Sequence, residues 1–285
     1  MSKRLYLFLI FVFLHNCSNQ ISFEQNVLIS VPSCNIELGK SNVIETVNSE
    51  IYIIGHAYGK PGEGDFFPKR LESFLVNSVD TNVKNYLALT GDFVREPTLE
   101  SFKKIQHFIK LYFDDYFIAV GNHELNDGTL DNFYKVFNSD FYYYEFENYL
   151  LLASNHSNSD WLPTTEVIEE INFLISNTEK KNIIILSHQL FWLEITNNSI
   201  KPNSDELLEE KLPSKPLDWI QNNHTKNFIV ISGDYGAYGA KPYCKQTKNA
   251  IFIASGIGDT NLDSIIKIVN KENSFGIYEI LISSN

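Results

Sequence analysis

LALTGDFV (residues 87–94) and IAVGNHE (residues 118–124) are the two stretches on which the reading of this chain turns. Each begins as an apolar run of strand length and stops at a glycine. Polar residues follow at once: Asp92 in the first, and Asn122, His123 and Glu124 in the second. Glycine permits a sharp turn and a close approach of the backbone. A buried strand that hands over to such residues places them on a loop at its carboxyl end, where α/β sheets gather their functional groups.

The arrangement recurs along the chain. IYIIGHAYG (51–59) sets His56 and Tyr58 after Gly55, LSHQ (186–189) sets His188 after Ser187, and ISGDYG (231–236) sets Asp234 after Gly233. Apolar runs at 51–54, 86–89, 116–120, 150–153, 183–186, 228–231, 251–254 and 276–282 have the length and β-branched content of buried strands. Amphipathic segments lie between them. PKRLESFLVNSV (68–79), TLESFKKIQHFIKLYF (98–113), TTEVIEEINFLISN (164–177) and the shorter PLDWIQNN (216–223) predict helices, the third opened by threonine caps and acidic first-turn residues, the fourth by Pro216. Strands alternating with helices predict a layered α/β domain over residues 49–285, with an insertion-like loop at 191–215. Asp, Asn and His are hard or borderline ligands for a cation. One of them at a strand end is ordinarily a cap or turn residue; several together point to a shared site.

Composition bounds the function classes. The 285 residues are 44% hydrophobic and 14% aromatic, enough for a sizeable core. The formal net charge is −12 and no basic stripe occurs, so no nucleic-acid binding through phosphates is expected. In so acidic a chain a phosphate ligand needs a local cation. No Walker-type phosphate loop, nucleophile elbow or Cys-x-x-Cys is present. His107, His156 and His224 read as structural or solvated, and Trp161 and Trp192 as core residues in preference to stacking platforms.

The N-terminus reads as an export signal. Lys3 and Arg4 precede an apolar run from Leu5 to Leu14, shorter than the roughly 20 residues of a spanning helix. Residues 1–16 are thus expected to be a signal peptide and 17–48 a tether or first irregular strand. Leu14-His15-Asn16-Cys17 resembles a bacterial lipobox, although Asn16 is not the usual small residue. Lipid at Cys17 would hold the protein to a membrane in the bacterial periplasm or cell envelope. Cys34 and Cys244 remain as a candidate pair in an oxidising compartment.

The order GD, GNHE, SH and a strand-ending SG resembles the calcineurin-like metallophosphoesterases from about residue 50 to the end. YLLLASN (149–155) and IFIASGIGD (251–259) resemble later strands of that family. The resemblance implies a four-layer α/β/β/α sandwich and a site for two metal ions, drawn from Mn, Fe or Zn. It makes Asp92 the bridging ligand, with Asn122 and His188 as ligands of the second metal. His123 would protonate the leaving alkoxide or stabilise the phosphoryl oxygens, and Glu124 would sit behind it as an orienting acid.

Two motifs depart from the family pattern. An early Asp-x-His is replaced by His56-Ala57-Tyr58, and a late Gly-His-x-His by Gly233-Asp234-Tyr235-Gly236. The first metal is left with Asp92, His56 and Tyr58, the second with Asp92, Asn122, His188 and Asp234. Three readings follow. One is an exported hydrolase of phosphate mono- or diesters, or of glycan-linked phosphate, with one cation or a rearranged pair. Another is an inactive binding or scaffolding lipoprotein. In the last, only the architecture is shared and the loops bind something else, such as a glycan.

Overall fold

Period-two burial within the strands sets the layers. In β2 (Val47–Ile54), Ile51 and Ile53 point to one side and Tyr52 and Ile54 to the other, and all four are buried. The same holds in β3 (Lys84–Thr90), with Ala88 on the first side and Leu87 and Leu89 on the second. Strands apolar on both faces need cover on both, which favours parallel pairing inside a stack of layers. The structure is a computed structural model. It describes residues 27–34, 46–61, 64, 66–157, 163–193, 200–203, 220, 223 and 225–282.

Two six-stranded sheets carry the fold. The first has the order β1 (Val27–Ser30), β12 (Phe275–Leu281), β11 (Ser264–Lys271), β2, β3, β4 (Asp115–Ala119). The second has the order β5 (Phe141–Glu145), β6 (Tyr149–Ser154), β7 (Asn182–Ser187), β8 (Asn227–Ser232), β10 (Ala250–Ala254), β9 (Tyr243–Gln246). Strands β2, β3 and β4 are mutually parallel, as are β6, β7, β8 and β10.

Three hydrophobic cores separate four layers. Ile51, Ile53, Ala88 and Phe117 meet Leu151, Ile184, Ile229 and Ile253 between the sheets. Outside the first sheet, Tyr52, Leu87 and Ile118 pack against α1 (Lys69–Ser78), α2 (Leu99–Tyr112) and α3 (Asp131–Phe137) through Leu71, Leu75, Phe102, Ile105, Ile109 and Phe133. Outside the second, Leu150, Ile183 and Phe228 pack against Ile171 and Ile175 of α4 (Thr165–Asn177) and against Trp192. The expected α/β/β/α sandwich is the observed one. Thr98 and Thr164 cap α2 and α4 by accepting from the backbone N–H of Ser101 and Val167.

Eight strands and three helices fall where the sequence predicts them. Strands β5, β9 and β11 and helix α3 were not expected. The first two are short edge strands, half exposed and without a glycine at their ends. Part of the segment 17–48 is a strand as well: β1 pairs with β12 because Val27 and Ile29 turn into the inter-sheet core. Trp192 is buried, as expected, its indole N–H donating to Ser232 Oγ at 2.9 Å. The expected signal peptide, Cys17, Trp161, His224, most of the 191–215 loop and all but Ile220 and Asn223 of the expected 216–223 helix lie outside the described residues.

Cys34, at the end of a single 3₁₀ turn after β1, forms a disulfide with Cys244 of β9, across 210 residues of sequence. β1 and β9 are edge strands of different sheets, so the bond ties one sheet to the other. Cross-linking distant positions removes entropy from the unfolded chain, typically about 2–4 kcal/mol. Reduction, or a Cys34→Ser/Cys244→Ser double variant, is expected to lower Tm by about 5–15 °C. Calorimetry with and without dithiothreitol checks this: the reductant should shift the wild type and leave the double variant unmoved.

Candidate active site

The carboxyl ends of β2, β3, β7 and β8, with the turn after β4, deliver the site residues to one rim of the sandwich. Hydrogen bonds between these loops fix them together. The N–H of His56 donates to Gly91 O at 3.0 Å, that of Ile257 to Gly55 O at 3.0 Å, and that of Asp234 to His188 O at 2.9 Å. The crowding explains Gly91: its φ is +80°, and a Cβ there would stand 2.4 Å from the His188 ring. Two non-glycine residues at this rim also take left-handed backbone, His56 with φ 48° and Asp92 with φ 52°. Such strain is held only where surrounding contacts over-determine it, and it collects at functional sites.

Asp92 is the centre. It is almost fully buried, and His188 Nε2 lies 3.3 Å and His56 Nε2 4.0 Å from its Oδ2. Its Oδ1 accepts from the backbone N–H of His123 at 3.0 Å. His188 Nε2 is also 3.2 Å from Asn122 Oδ1 and 3.8 Å from Asp234 Oδ1. On the far side of each ring, His188 Nδ1 is 3.0 Å from Thr90 O and His56 Nδ1 is 3.0 Å from Ile257 O. A carbonyl can only accept, so Nδ1 carries the proton in both rings and Nε2 is the atom turned into the site.

Electrostatics separates the two imidazoles. Burial works against the charged form of His188, but Asp92 and Asp234 outweigh it and raise its pKa. For His56 burial prevails over the attraction of Asp92, and its pKa is lowered. Burial alone would raise the Asp92 carboxyl; His188, then His123 and His56, bring it well below the usual range. Asp234 is fully buried too. Two buried carboxylates, two imidazoles and an amide oxygen thus face one another. As placed, no three His, Cys, Asp or Glu side chains among the described residues form a ready-made metal cage; the contact between Asp92 and His188 is that of an ion pair instead.

His123 and Tyr58 lie at the mouth. His123 Nδ1 is 3.0 Å from Arg95 O, and its Nε2 is 3.4 Å from the Tyr58 hydroxyl. The Tyr58 ring packs on His56 at 4.3 Å and on His123 at 5.0 Å between centroids. Burial, then the charge of Asp92, pushes the Tyr58 phenol far up, so it stays protonated and donates to His123 Nε2. The Arg95 guanidinium opposes that rise and brings a cation to the mouth. Arg95 carries no sequence signal beyond its place three residues after Asp92. The structure therefore brings His56, Asp92, Asn122, His123, His188 and Asp234 together, and directs Tyr58 at His123.

Glu124 has a task other than the one expected. It does not sit behind His123. Its Oε2 accepts from the N–H of Gly121 at 2.6 Å and of Asp92 at 2.8 Å, and its Oε1 from Phe93 at 2.9 Å and Val94 at 3.3 Å. The reason is geometric: the 3₁₀ turn Asn122–Glu124 carries its side chain back under the GD loop, while the His123 ring is held by Arg95. Burial, followed by the charge of Asp92, raises the Glu124 carboxyl, and the N–H donors work against that by favouring the anion.

The fold and this rim define a metallophosphoesterase-type protein. The calcineurin-like phosphoesterase family matches residues 63–256, more than half the chain, and the chain belongs to that family. The matched region starts after His56 and Tyr58. No curated protein matches the sequence. Among solved structures, the chain is similar to Vacuolar Protein Sorting 29 from Cryptosporidium parvum, at 10% identity over 84% of this chain and 100% of that one, TM-score 0.38. It is similar to wild-type Vps29 from Entamoeba histolytica complexed with zinc, at 8% identity over 82% and 99%, TM-score 0.34. A cold-active protein-tyrosine phosphatase of a psychrophilic Shewanella is similar at 10% identity over 91% and 83%, TM-score 0.36.

Replacing Glu124 by Gln keeps its shape but swaps one acceptor oxygen for a donor NH2 aimed at backbone N–H groups. The expected cost is about 1–3 kcal/mol of stability or more, as for buried donors left unmade. Urea unfolding checks it: the midpoint should fall with an unchanged slope, and an unmoved midpoint would show that the GD loop holds without the anion.

Proposed function

We propose that this chain is an exported phosphoesterase, hydrolysing a phosphate mono- or diester at a site with one firmly held cation. The observation that carries the reading is the convergence on His188 Nε2 of Asn122 Oδ1 at 3.2 Å, Asp92 Oδ2 at 3.3 Å and Asp234 Oδ1 at 3.8 Å, with His56 Nε2 4.0 Å from the same Asp92 oxygen. The donor types fit a divalent transition metal, of the Mn, Fe or Zn kind. Asp92, Asn122, His188 and Asp234 would hold it. Such a cation, when bound, neutralises phosphate oxygens and lowers the pKa of a coordinated water.

The chain's own groups do the rest. Backbone carbonyls fix the rings of His56 and His188, so the donors are oriented before any ligand arrives. Arg95 supplies the local cation that an acidic chain needs to admit an anion. His123 holds its Nδ1 proton on Arg95 O and turns Nε2 to the mouth, the atom from which a proton would pass to the leaving oxygen. Export and attachment through Cys17 remain part of the proposal. One observation favours a second reading, a binding module without turnover: the Tyr58 hydroxyl occupies His123 Nε2.

Metal analysis after reconstitution with manganese, iron or zinc tests the first reading. The wild type should hold close to one equivalent, Asp92→Ala and His188→Ala none. Hydrolysis of bis(4-nitrophenyl) phosphate should follow metal content, and His123→Ala should lower kcat by about 10²–10⁴ while leaving metal content alone. Metal without turnover in the wild type would leave the binding module; no metal under any condition would sink the hydrolase. Detergent partitioning of the full chain against Cys17→Ala tests the anchor: loss of the detergent-phase fraction in the variant is expected, and equal partitioning would reject lipidation.

A further inference from the structure

A cavity of about 360 Å³ opens beside the site, with Tyr58 shared between the two. It lies where the loop after β2 meets α1 and α2, and none of the groups assigned above except Tyr58 lines it. Its size is that of a small-ligand pocket, at the lower end of the usual range. Its apolar wall is made by Phe66, Phe67 and Pro68. Three cations, Lys60, Lys69 and Lys104, stand around it against two carboxylates, Glu72 and Asp259. That leaves an excess of one positive charge among the lining residues, in a chain whose net charge is −12.

We propose that this cavity receives the organic group of the phosphate ester, and that it selects an aryl or nucleobase-like group carrying a second negative charge. The inference rests on the phosphoesterase reading for the phosphate itself, while the selectivity follows from the cavity. Tyr58 sets the register: its ring forms the shared wall, and its hydroxyl is 3.4 Å from His123 Nε2, where the leaving group departs. An ester whose phosphorus sits before His123 therefore has its substituent at this opening. The half-buried Phe66 ring stacks on Phe67 and carries Lys104 Nζ 4.4 Å from its centroid. The ammonium is held at an aromatic wall instead of in an ion pair: among the described residues, Lys69 and Lys104 have no carboxylate within ion-pair reach. An apolar body beside unpaired ammonium groups suits a flat apolar ligand with an anionic tip. A neutral or short alkyl substituent would leave the lysines unused and the aromatic wall wet.

Three monoesters whose organic group is also the leaving group test this: methyl, phenyl and 4-carboxyphenyl phosphate, offered to the metal-reconstituted full chain with released phosphate as the readout. KM should fall along that series, by about ten-fold or more from first to last, a difference of about 1.4 kcal/mol. Lys69→Ala and Lys104→Gln should erase the advantage of the carboxyphenyl over the phenyl ester. Phe66→Ala should erase that of phenyl over methyl, and none of the three should alter KM for the methyl ester. Lys104→Gln keeps the stem over Phe66, so a folding defect in Phe66→Ala does not remove the test. Equal KM values across the series overturn the inference and leave the phosphoesterase standing. If no ester is turned over, the phosphoesterase reading falls, and the same three are titrated as ligands: the same order of Kd sustains the cavity's selectivity, and equal affinity or none overturns it.

Discussion

The Glu124 carboxylate is the point from which the site is built. Four backbone N–H groups, from Gly121, Asp92, Phe93 and Val94, converge on its two oxygens. The first belongs to the loop after β4 and the other three to the loop after β3, so one anion joins the ends of neighbouring strands. Buried N–H groups need partners, and here the two Glu124 oxygens supply them. The left-handed backbone at Asp92 is held by the same bonds, because the donors on both sides of its φ are committed. Where Asp92 points is thus decided by a side chain that does not touch the site itself.

From Asp92 the arrangement crosses between the sheets. Asp92, Asn122 and His123 come from the first sheet, His188 and Asp234 from the second. His188 bridges the seam twice, through Nδ1 to Thr90 O and through Nε2 to Asp92. A slip of one sheet over the other would break both contacts. The inter-sheet core resists slip by tight packing of branched residues such as Ile51, Ile184 and Ile229, and the Cys34–Cys244 bond resists it at the sheet edges.

The sequence made most of this legible because strands buried on both faces leave continuous apolar runs, and because glycine marks where each one ends. GD and GNHE place Asp92, Asn122 and His123 without ambiguity. What stayed hidden were features with no local signature. β5 and β9 are edge strands whose half-exposed pattern resembles loop sequence. Glu124 was legible as a site residue but not in its task, because the residue it serves lies 32 positions earlier and the bonds go to backbone. Arg95 follows a hydrophobic pair and looks like any surface cation; only the fold sets its carbonyl against His123. The His56–Tyr58 stretch was legible as a departure, and the structure turns it into a ring stack that reaches His123.

That stack gives the site two unlike sides. His56 and His188 both present Nε2 to the same Asp92 oxygen, yet burial and charge drive them in opposite directions. His56 faces one carboxylate at 4.0 Å, too weak a partner to offset its burial, and the phenol of Tyr58 beside it stays protonated. His188 faces Asp92 at 3.3 Å and Asp234 at 3.8 Å, and two carboxylates overcome the same penalty. The field that favours a positive charge therefore lies on the His188 side, between Asp92 and Asp234. A proton on His188 answers that field, and a cation held between the carboxylates would answer it in the same way and compete with the proton. The departures fall on both sides: Tyr58 puts a phenol against the His56 ring, and Asp234 puts a second carboxylate beside His188.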